Sequence, residues 1–401
     1  MCAVAAQATA AIASIRLTLA DIVRAHGDTY RRTHRLARVK TRALCAIAAC
    51  RTALLGGRRE TCDHCGATRI TYNSCRNRHC PTCQSRASAR WIEARRAELL
   101  PIPYFHVVFT VPHALNALAQ GNPRVIYALL FRTAAETLLT FGRDPRHLGG
   151  TIGITAVLHT WGQTLTHHVH VHCLVTGGAL ACDRTHWIRG RGSFLFPVKA
   201  LSVVFRAKYL AGLQRAFNAG QLTFAAGTGP LASPVGFAAL VTQLRATPWV
   251  VYAKRPFAGP TQVLQYLGRY THRIAISNAR LVSHTDGVVR FRWKDYADRG
   301  CMKVMALGVE EFLRRFLVHV LPRGFVRIRH FGLLANRQRR PAIIRARQLL
   351  GAPTPEATAD REPAADLDPI RCPVCRQGHW HVVEILRSLA SVLAPAAPDT
   401  S

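Results

Sequence analysis

Acidic side chains are scarce in this chain: 21 Asp and Glu stand against 54 Lys and Arg, which leaves a formal net charge of +33. An imbalance of this size is costly through self-repulsion unless a polyanion is the partner. Nucleic acid is the favoured partner, with an anionic membrane surface as the alternative. Most of the basic residues are arginine, whose planar guanidinium suits phosphate and base edges better than the lysine ammonium does.

Long apolar runs are missing as well. No stretch approaches the roughly 18 residues of a membrane-spanning helix. Residues 1–19 have no basic segment before their apolar stretch, so no signal peptide is predicted. The sequence therefore predicts a cytoplasmic, reducing setting, in which the 13 cysteines are metal ligands or buried thiols and not disulfides. A Walker-type phosphate-binding motif is also absent, so no nucleotide cofactor is expected.

The composition divides the chain into three regions. Residues 1–100 are helical in pattern and then Cys-rich, residues 101–350 alternate strand and helix patterns, and residues 351–401 hold an acidic Pro/Ala linker, a short Cys-x-x-Cys element and a flexible tail. Within the middle region the order of elements predicts an α+β fold with an antiparallel sheet. Its strand patterns cover 104–111, 151–161, 169–176 and 288–294, and its helix patterns cover 122–141, 261–273 and 310–321.

A histidine-rich strand pattern occupies residues 167–172. Because side chains alternate across a strand, His168, His170 and His172 share one face, and two neutral imidazoles about 7 Å apart can chelate one divalent ion. A hairpin turning near residue 165 would place Gln163 opposite His168 and His159 opposite His172, so both are candidates for a third ligand. A mixed nitrogen and oxygen set suits Mg²⁺ or Mn²⁺ acting as a Lewis acid on a phosphate. The alternative is an exposed histidine-rich hairpin without metal.

Two tyrosines stand four residues apart in the helix pattern of residues 261–273. On a helix, Tyr266 and Tyr270 project from one face, and a tyrosine hydroxyl can attack a phosphodiester and hold the DNA end covalently. Arg269, His272 and Arg273 add positive charge suited to phosphate. Taken alone, such a pair is more often a packing or surface feature.

Four cysteines of the N-terminal region form two Cys-x-x-Cys motifs, here called hooks. Cys62-x-x-Cys65 and Cys80-x-x-Cys83 are separated by 14 residues, which predicts a closed, tetrahedral Cys₄ zinc site in a module that reads DNA. A second zinc ion that uses some of the remaining cysteines and histidines is also possible.

A third hook, Cys372-x-x-Cys375, follows the acidic linker. With His379 and His381 it forms either a small metal knuckle of its own or an exposed thiol pair.

Arginines interleaved with aromatic residues fill the segment 323–347. This pattern suits a channel for single-stranded nucleic acid, where bases stack and phosphates pair with guanidinium groups. Arg327, Arg329 and Arg337 are the residues of this segment that we predict to bind DNA. A solvated basic helix face is the alternative.

Together these motifs resemble the HUH superfamily of single-strand DNA nucleases, and within it the paired-tyrosine, rolling-circle transposases of bacterial insertion sequences, the group related to ISCR elements. The resemblance covers roughly residues 26–345. It is carried by CDHCGATRITYNSCRNRHCPTCQ at 62–84, YFHVVFTVPHALN at 104–116, LHTWGQTLTHHVHVHCLVTGG at 158–178, YLGRYTHRIAISNARL at 266–281 and VRIRHFGLLANRQRR at 326–340.

The resemblance implies a role for each motif. His170 and His172 match the metal-binding His-hydrophobic-His pair, Tyr266 and Tyr270 match the two nucleophiles, and Gln163 stands where some members carry a polar third ligand, so it is preferred to His159. The implied activity is the nicking and rejoining of single-stranded DNA through a 5′-phosphotyrosine, with catalytic Mg²⁺ or Mn²⁺ and structural Zn²⁺. The implied partners are the DNA ends of the element and the target DNA, which places the protein at the bacterial nucleoid.

Three alternatives remain at this stage. A plasmid replication initiator or relaxase would use the same chemistry. A zinc-containing DNA-binding protein would be non-catalytic. The histidine-triad nucleotide hydrolases share the His-x-His-x-His pattern, but they are small proteins without zinc hooks, and a charge of +33 serves no purpose on a nucleotide substrate.

Overall fold

The computed structural model describes residues 17–96, 98–190, 192, 195–225, 227–257, 262–263, 268, 275–353 and 371–389 of the chain. These residues form fourteen strands and nine labelled helices. The strands are β1 Gly57–Cys62, β2 Thr68–Tyr72, β3 Tyr104–Thr110, β4 Gly150–Thr151, β5 Gly153–Trp161, β6 His167–Thr176, β7 Gly178–Ala181, β8 Trp187–Arg189, β9 Val251–Phe257, β10 Leu281–Thr285, β11 Val288–Asp295, β12 Cys301–Gly308, β13 Ile328–Gly332 and β14 Trp380–Leu386. The helices are α1 Leu19–Thr33, α2 Arg38–Ala49, α3 Pro81–Arg96, α4 Asn116–Gly121, α5 Pro123–Arg143, α6 Val198–Asn218, α7 Pro234–Ala246, α8 Val309–Val318 and α9 Arg339–Leu349.

A five-stranded sheet of order β13-β5-β6-β3-β9 forms the centre of the molecule, and all its neighbouring strands are antiparallel. The α+β class with an antiparallel sheet, expected from the sequence, is thereby confirmed. The histidine-rich strand β6 lies in the middle of this sheet, between β5 and β3. Its position explains why the strand is nearly continuous in apolar residues on one face and can carry polar residues only on the other.

The first face of this sheet packs against helices. Val169, Val171 and Cys173 of β6 belong to the largest core, which the apolar residues of α5 and α6 complete. Helix α5 is long and apolar enough by composition to span a membrane, but 61% of its most apolar window is buried inside the protein. Packing against the sheet therefore accounts for its composition. Because side chains alternate, His168, His170 and His172 project from the opposite face.

The N-terminal helices belong to a second core. Leu19, Ile22 and Leu44 of α1 and α2 are buried with Phe291 of β11 and Phe316 of α8. A capping box at Thr18 fixes the start of α1, since the Thr18 hydroxyl accepts from the Asp21 amide and the Asp21 carboxylate accepts from the Thr18 amide at 2.8 Å. Residues 19–50 therefore pack on residues 275–320, so the core of the N-terminal region extends across the predicted domain boundary at residue 100.

The predicted division at residue 350 is crossed as well. Strand β14, from the C-terminal part of the chain, pairs antiparallel with β1 in a three-stranded sheet of order β14-β1-β2. The third Cys-x-x-Cys element therefore lies against the first N-terminal hook, Cys62 and Cys65, and does not form a separate knuckle.

Candidate active site and metal centres

Three histidines meet on the face of the central sheet opposite α5 and α6. In the register of β5 and β6, His159 lies directly opposite His170, and Val157 lies opposite His172. One ring nitrogen from each of His159, His170 and His172 lies within 4.8 Å of the other two. Three imidazoles gathered in this way can supply three of the ligands of one divalent ion.

The observed register differs from the predicted one. We predicted His159 opposite His172 and Gln163 opposite His168, but the turn begins earlier, with the Gly162 amide donating to the Thr166 carbonyl at 3.0 Å. Gln163 therefore lies in the turn, outside the ladder, and its Oε1 atom accepts from the Lys294 amide at 3.5 Å. The register is shifted by two residues, so His159 stays on the histidine face and lies next to His170 and His172, while Gln163 as a ligand stays a prediction.

Hydrogen bonds orient two of the rings. The Nδ1 atom of His170 lies 2.8 Å from the His168 carbonyl. Since a carbonyl only accepts, Nδ1 carries the proton and Nε2 presents its lone pair. The Nδ1 atom of His172 lies 2.8 Å from Nε2 of His106 on β3, and the two rings stack with centroids 5.1 Å apart. His106 is a supporting residue that the sequence motifs did not single out, although its strand pattern was visible.

Burial keeps these rings neutral. It holds the pKa values of His170 and His172 well below the ordinary imidazole range, with smaller contributions from neighbouring histidines. Burial, together with the nearby Lys254 ammonium, lowers the pKa of His106 to about 3. Neutral imidazoles are the form that binds metal ions, so the cluster is ready to bind a cation at neutral pH without first losing protons.

Two residues of the edge strand β9 flank the histidine face. Tyr252 lies opposite Val108 of β3, which in turn lies opposite His172, so Tyr252 stands two strands, about 10 Å, from the cluster. Its side chain is 51% exposed. Lys254 lies opposite His106 on the same face. Neither residue was singled out from the sequence, because only the sheet order brings β9 next to β3.

Tyr266 and Tyr270, with Arg269 and Arg273, lie outside the described residues. Three positions of the same segment are described and helical: Gln262, Val263 and Gly268.

Two of these positions are anchored. Val263 is fully buried in a small core that includes Leu174 of β6 and Tyr104 of β3. The Gly268 carbonyl accepts from the Ser88 hydroxyl of α3 at 3.1 Å, and a side chain there would collide with Ile92.

The cysteines form two clusters, and the pairing differs from the predicted one. Cys62 and Cys65 meet Cys372 and Cys375, whereas Cys80 and Cys83 meet Cys50 and Cys75. In the second cluster the sulfur atom of Cys83 lies 3.5 Å from the sulfur of Cys50 and 3.6 Å from the sulfur of Cys75. The predicted single site of Cys62, Cys65, Cys80 and Cys83 is therefore not formed: the first hook lies at the turn between β1 and β2, β2 separates it from the second hook, and each hook meets a different pair of cysteines.

The predicted DNA-binding arginines occupy unlike environments. The Arg329 guanidinium lies 4.5 Å from the Phe131 ring and 5.2 Å from the Phe325 ring, on the helical face of the sheet and away from the histidines. Burial, with Arg78 nearby, lowers the pKa of Arg327 to about 9. Arg337 is exposed. The interleaved aromatics of this segment are thus partly core residues, and of these three arginines Arg337 is the exposed one, whereas Arg327 and Arg329 are partly buried.

Sequence comparisons cover most of the chain. Residues 22–111 match the family described as "Transposase zinc-binding domain", and residues 153–341 match the family described as "Putative transposase". No solved structure matches.

Two curated relatives agree with these matches. "Putative transposase y4qJ" of Sinorhizobium fredii is 49% identical over 96% of this chain and 98% of its own length. "Transposase for insertion sequence element IS801" of Pseudomonas savastanoi pv. phaseolicola is 29% identical over 84% of this chain and 82% of its own length. The chain belongs to the IS91 family of insertion-sequence transposases.

Proposed function

We propose that this transposase nicks and rejoins single-stranded DNA in an HUH-type nuclease domain, with Tyr266 and Tyr270 as nucleophiles and a divalent cation held by His159, His170 and His172. The observation that carries the proposal is the convergence of the three imidazoles on one face of an antiparallel sheet. Tyr252 and Lys254 of the edge strand β9 are exposed beside the cluster and could contact a DNA strand, whereas the opposite face of the sheet is covered by α5 and α6.

The donor set supports a divalent transition metal. All three ligands are imidazole nitrogens, which suit first-row transition ions better than Mg²⁺, a cation that prefers oxygen. Of the two ions suggested by the sequence, Mn²⁺ therefore fits the site better. Once bound, the cation would supply Lewis-acid polarisation of the scissile phosphate.

The bond-making and bond-breaking steps are performed by the tyrosine side chains. A tyrosine oxygen forms a bond to phosphorus and the bond from phosphorus to the 3′ oxygen breaks, so the tyrosine loses its proton and the 3′ oxygen gains one. The DNA is left with a 5′-phosphotyrosine and a 3′-hydroxyl. Attack by a 3′-hydroxyl reverses the step, and because the phosphodiester energy is conserved no nucleotide cofactor is required.

Val263 and Gly268 support the placement of the tyrosines near this site. Val263 packs with Leu174, which follows His172 by two residues and shares its face. Gly268, between the two tyrosines in sequence, contacts α3. The second tyrosine provides a second cleavage or the joining to target DNA, which is the basis for proposing rolling-circle transposition over a single nicking event.

The proposal is tested with a labelled single-stranded oligonucleotide that carries the end sequence of the element. Incubation of the protein with this DNA and Mn²⁺ should yield an adduct that survives boiling in detergent, and chelator should suppress it. Adduct formation at full rate in chelator would contradict the role of the histidine cluster. The absence of any adduct on both strands of both element ends would contradict covalent chemistry.

Tyr252 provides a separate prediction about the DNA path. An exposed aromatic ring beside the site can stack on a base, worth about 1–3 kcal/mol. Tyr252→Ala is therefore expected to weaken binding of single-stranded DNA about tenfold, measured by fluorescence anisotropy at fixed salt. Tyr252→Phe, which keeps the ring, should bind like the wild type. Equal affinities of the two variants would show that the strand does not pass over β9.

A further inference from the structure

The third cysteine hook lies outside both regions that match known families, since the matches end at residue 341. Cys372 and Cys375 nevertheless face the first hook of the chain. The sulfur of Cys375 lies 3.8 Å from that of Cys62, and the sulfur of Cys372 lies 3.7 Å from that of Cys65. All four lie within 4.8 Å of one another.

The two hooks have the same local structure. In the first, the Gly66 amide donates to the Cys62 carbonyl at 3.1 Å; in the second, the Arg376 amide donates to the Cys372 carbonyl at 2.7 Å. In both, the residue after the second cysteine has a positive φ, 69° at Gly66 and 59° at Arg376. The Cys375 sulfur also accepts from the Gly378 amide at 3.3 Å. Matched turns that aim amides and sulfurs inward are what a tetrahedral metal site requires.

The surrounding contacts bring the hooks close together. The Asp63 carboxylate of the first hook accepts from the His379 amide at 2.7 Å and lies 3.1 Å from Nε2 of His381. At Gly378 a Cβ atom would lie 2.5 Å from the Cys62 sulfur, so only glycine allows this approach. The two turns are therefore built to fit each other, although 307 residues separate Cys65 from Cys372 in sequence.

The sulfur spacing identifies the class of ion. Zn²⁺ binds thiolate at about 2.3 Å, which places tetrahedral sulfurs about 3.8 Å apart. We infer that Cys62, Cys65, Cys372 and Cys375 hold a Zn²⁺ ion that joins the C-terminal segment 371–389 to the N-terminal sheet. The result is a zinc ribbon whose two halves come from opposite ends of the chain, distinct from the Cys50, Cys75, Cys80 and Cys83 site and independent of the nuclease chemistry.

Apolar burial cannot replace this ion. Val382, Val383 and Ile385 of β14 are 52%, 53% and 78% exposed, so the strand contributes little to a core. Its other contacts are mainly backbone pairing with β1 and polar interactions, which include the Asp63 contacts, the Arg59–Glu384 ion pair at 2.9 Å and the Arg69 guanidinium 4.1 Å from the Trp380 ring. A strand of this kind is marginal by itself, and metal binding then supplies the free energy that keeps it folded.

The inference is tested by cutting the chain between the two halves of the ribbon. A site for a sequence-specific protease is placed within residues 354–370 of the full chain, and the protein is cleaved under reducing conditions. With Zn²⁺ bound, the C-terminal fragment should co-elute with the rest of the protein in size-exclusion chromatography. A strong chelator should release it. Retention that is insensitive to chelator, or release while both zinc ions stay bound to the large fragment, would overturn the inference.

Metal analysis provides the matched variants. Cys372→Ser with Cys375→Ser is expected to lower the zinc content of the purified chain by one ion, and Cys75→Ser with Cys83→Ser by a different one, so the losses add in the combined variant. Cys182→Ser with Cys301→Ser, at two exposed cysteines outside both clusters, should lose none. An unchanged zinc content in the first variant would contradict the assignment, whatever its activity.

Discussion

Replacing His159 with alanine should suppress the covalent adduct as strongly as His170→Ala does, by at least about 100-fold in rate. His159 lies opposite His170 in the ladder and contributes one of three ligand nitrogens. Gln163→Ala is the matched control, because its side chain lies in the turn and contacts the Lys294 amide. It should keep most of the activity. The measurement is the initial rate of adduct formation at saturating Mn²⁺.

The dependence of activity on Mn²⁺ concentration distinguishes a proposed metal ligand, His159, from a residue that supports a ligand, His106. His106→Ala removes the partner of the His172 Nδ1 atom, and such a loss typically costs about 10- to 100-fold in metal affinity. Its activity should return at high Mn²⁺, whereas that of His159→Ala should not. If Gln163→Ala were inactive and His159→Ala active, the register of the hairpin would not describe the working site.

The second large effect is expected at the tyrosines. Phenylalanine keeps the ring and removes only the hydroxyl, so Tyr266→Phe combined with Tyr270→Phe should abolish the adduct by at least about 10³-fold while single-stranded DNA still binds. Tyr252→Phe is the control, since Tyr252 is an exposed tyrosine on the histidine face. It should form adduct normally.

The single variants Tyr266→Phe and Tyr270→Phe test which step each hydroxyl performs. Each should still cleave one DNA end but fail to complete strand transfer, because the second transesterification lacks its nucleophile. A single variant that carries out full transfer would mean that one tyrosine serves both steps. An active double variant would remove the tyrosines from the mechanism altogether.

The histidine face was readable from the sequence because a strand has a strict period of two. The predicted strands and the observed strands agree closely, as at residues 104–111 against Tyr104–Thr110 and 288–294 against Val288–Asp295. The pairing register was not readable. It depends on where the turn starts and on an irregularity between His159 and Trp161, and neither has a clear sequence pattern.

The cysteine partners could not be predicted for a different reason. Sequence reasoning pairs hooks that are close in the chain, and so it joined Cys62 and Cys65 to Cys80 and Cys83. The actual partner of the first hook is about 300 residues away and approaches through β14. Arg329 illustrates the same limit, because only the packed structure places its guanidinium against Phe131 and away from the candidate DNA face.

The most direct test of the account is to identify the amino acid that is linked to DNA. The adduct formed in Mn²⁺ is digested with nuclease and protease, and the peptide that carries the residual nucleotide is sequenced by mass spectrometry. The account predicts that the modification lies on Tyr266 or Tyr270, attached through a 5′ phosphate. Linkage to Tyr252, to any serine or histidine, or through a 3′ phosphate would contradict it.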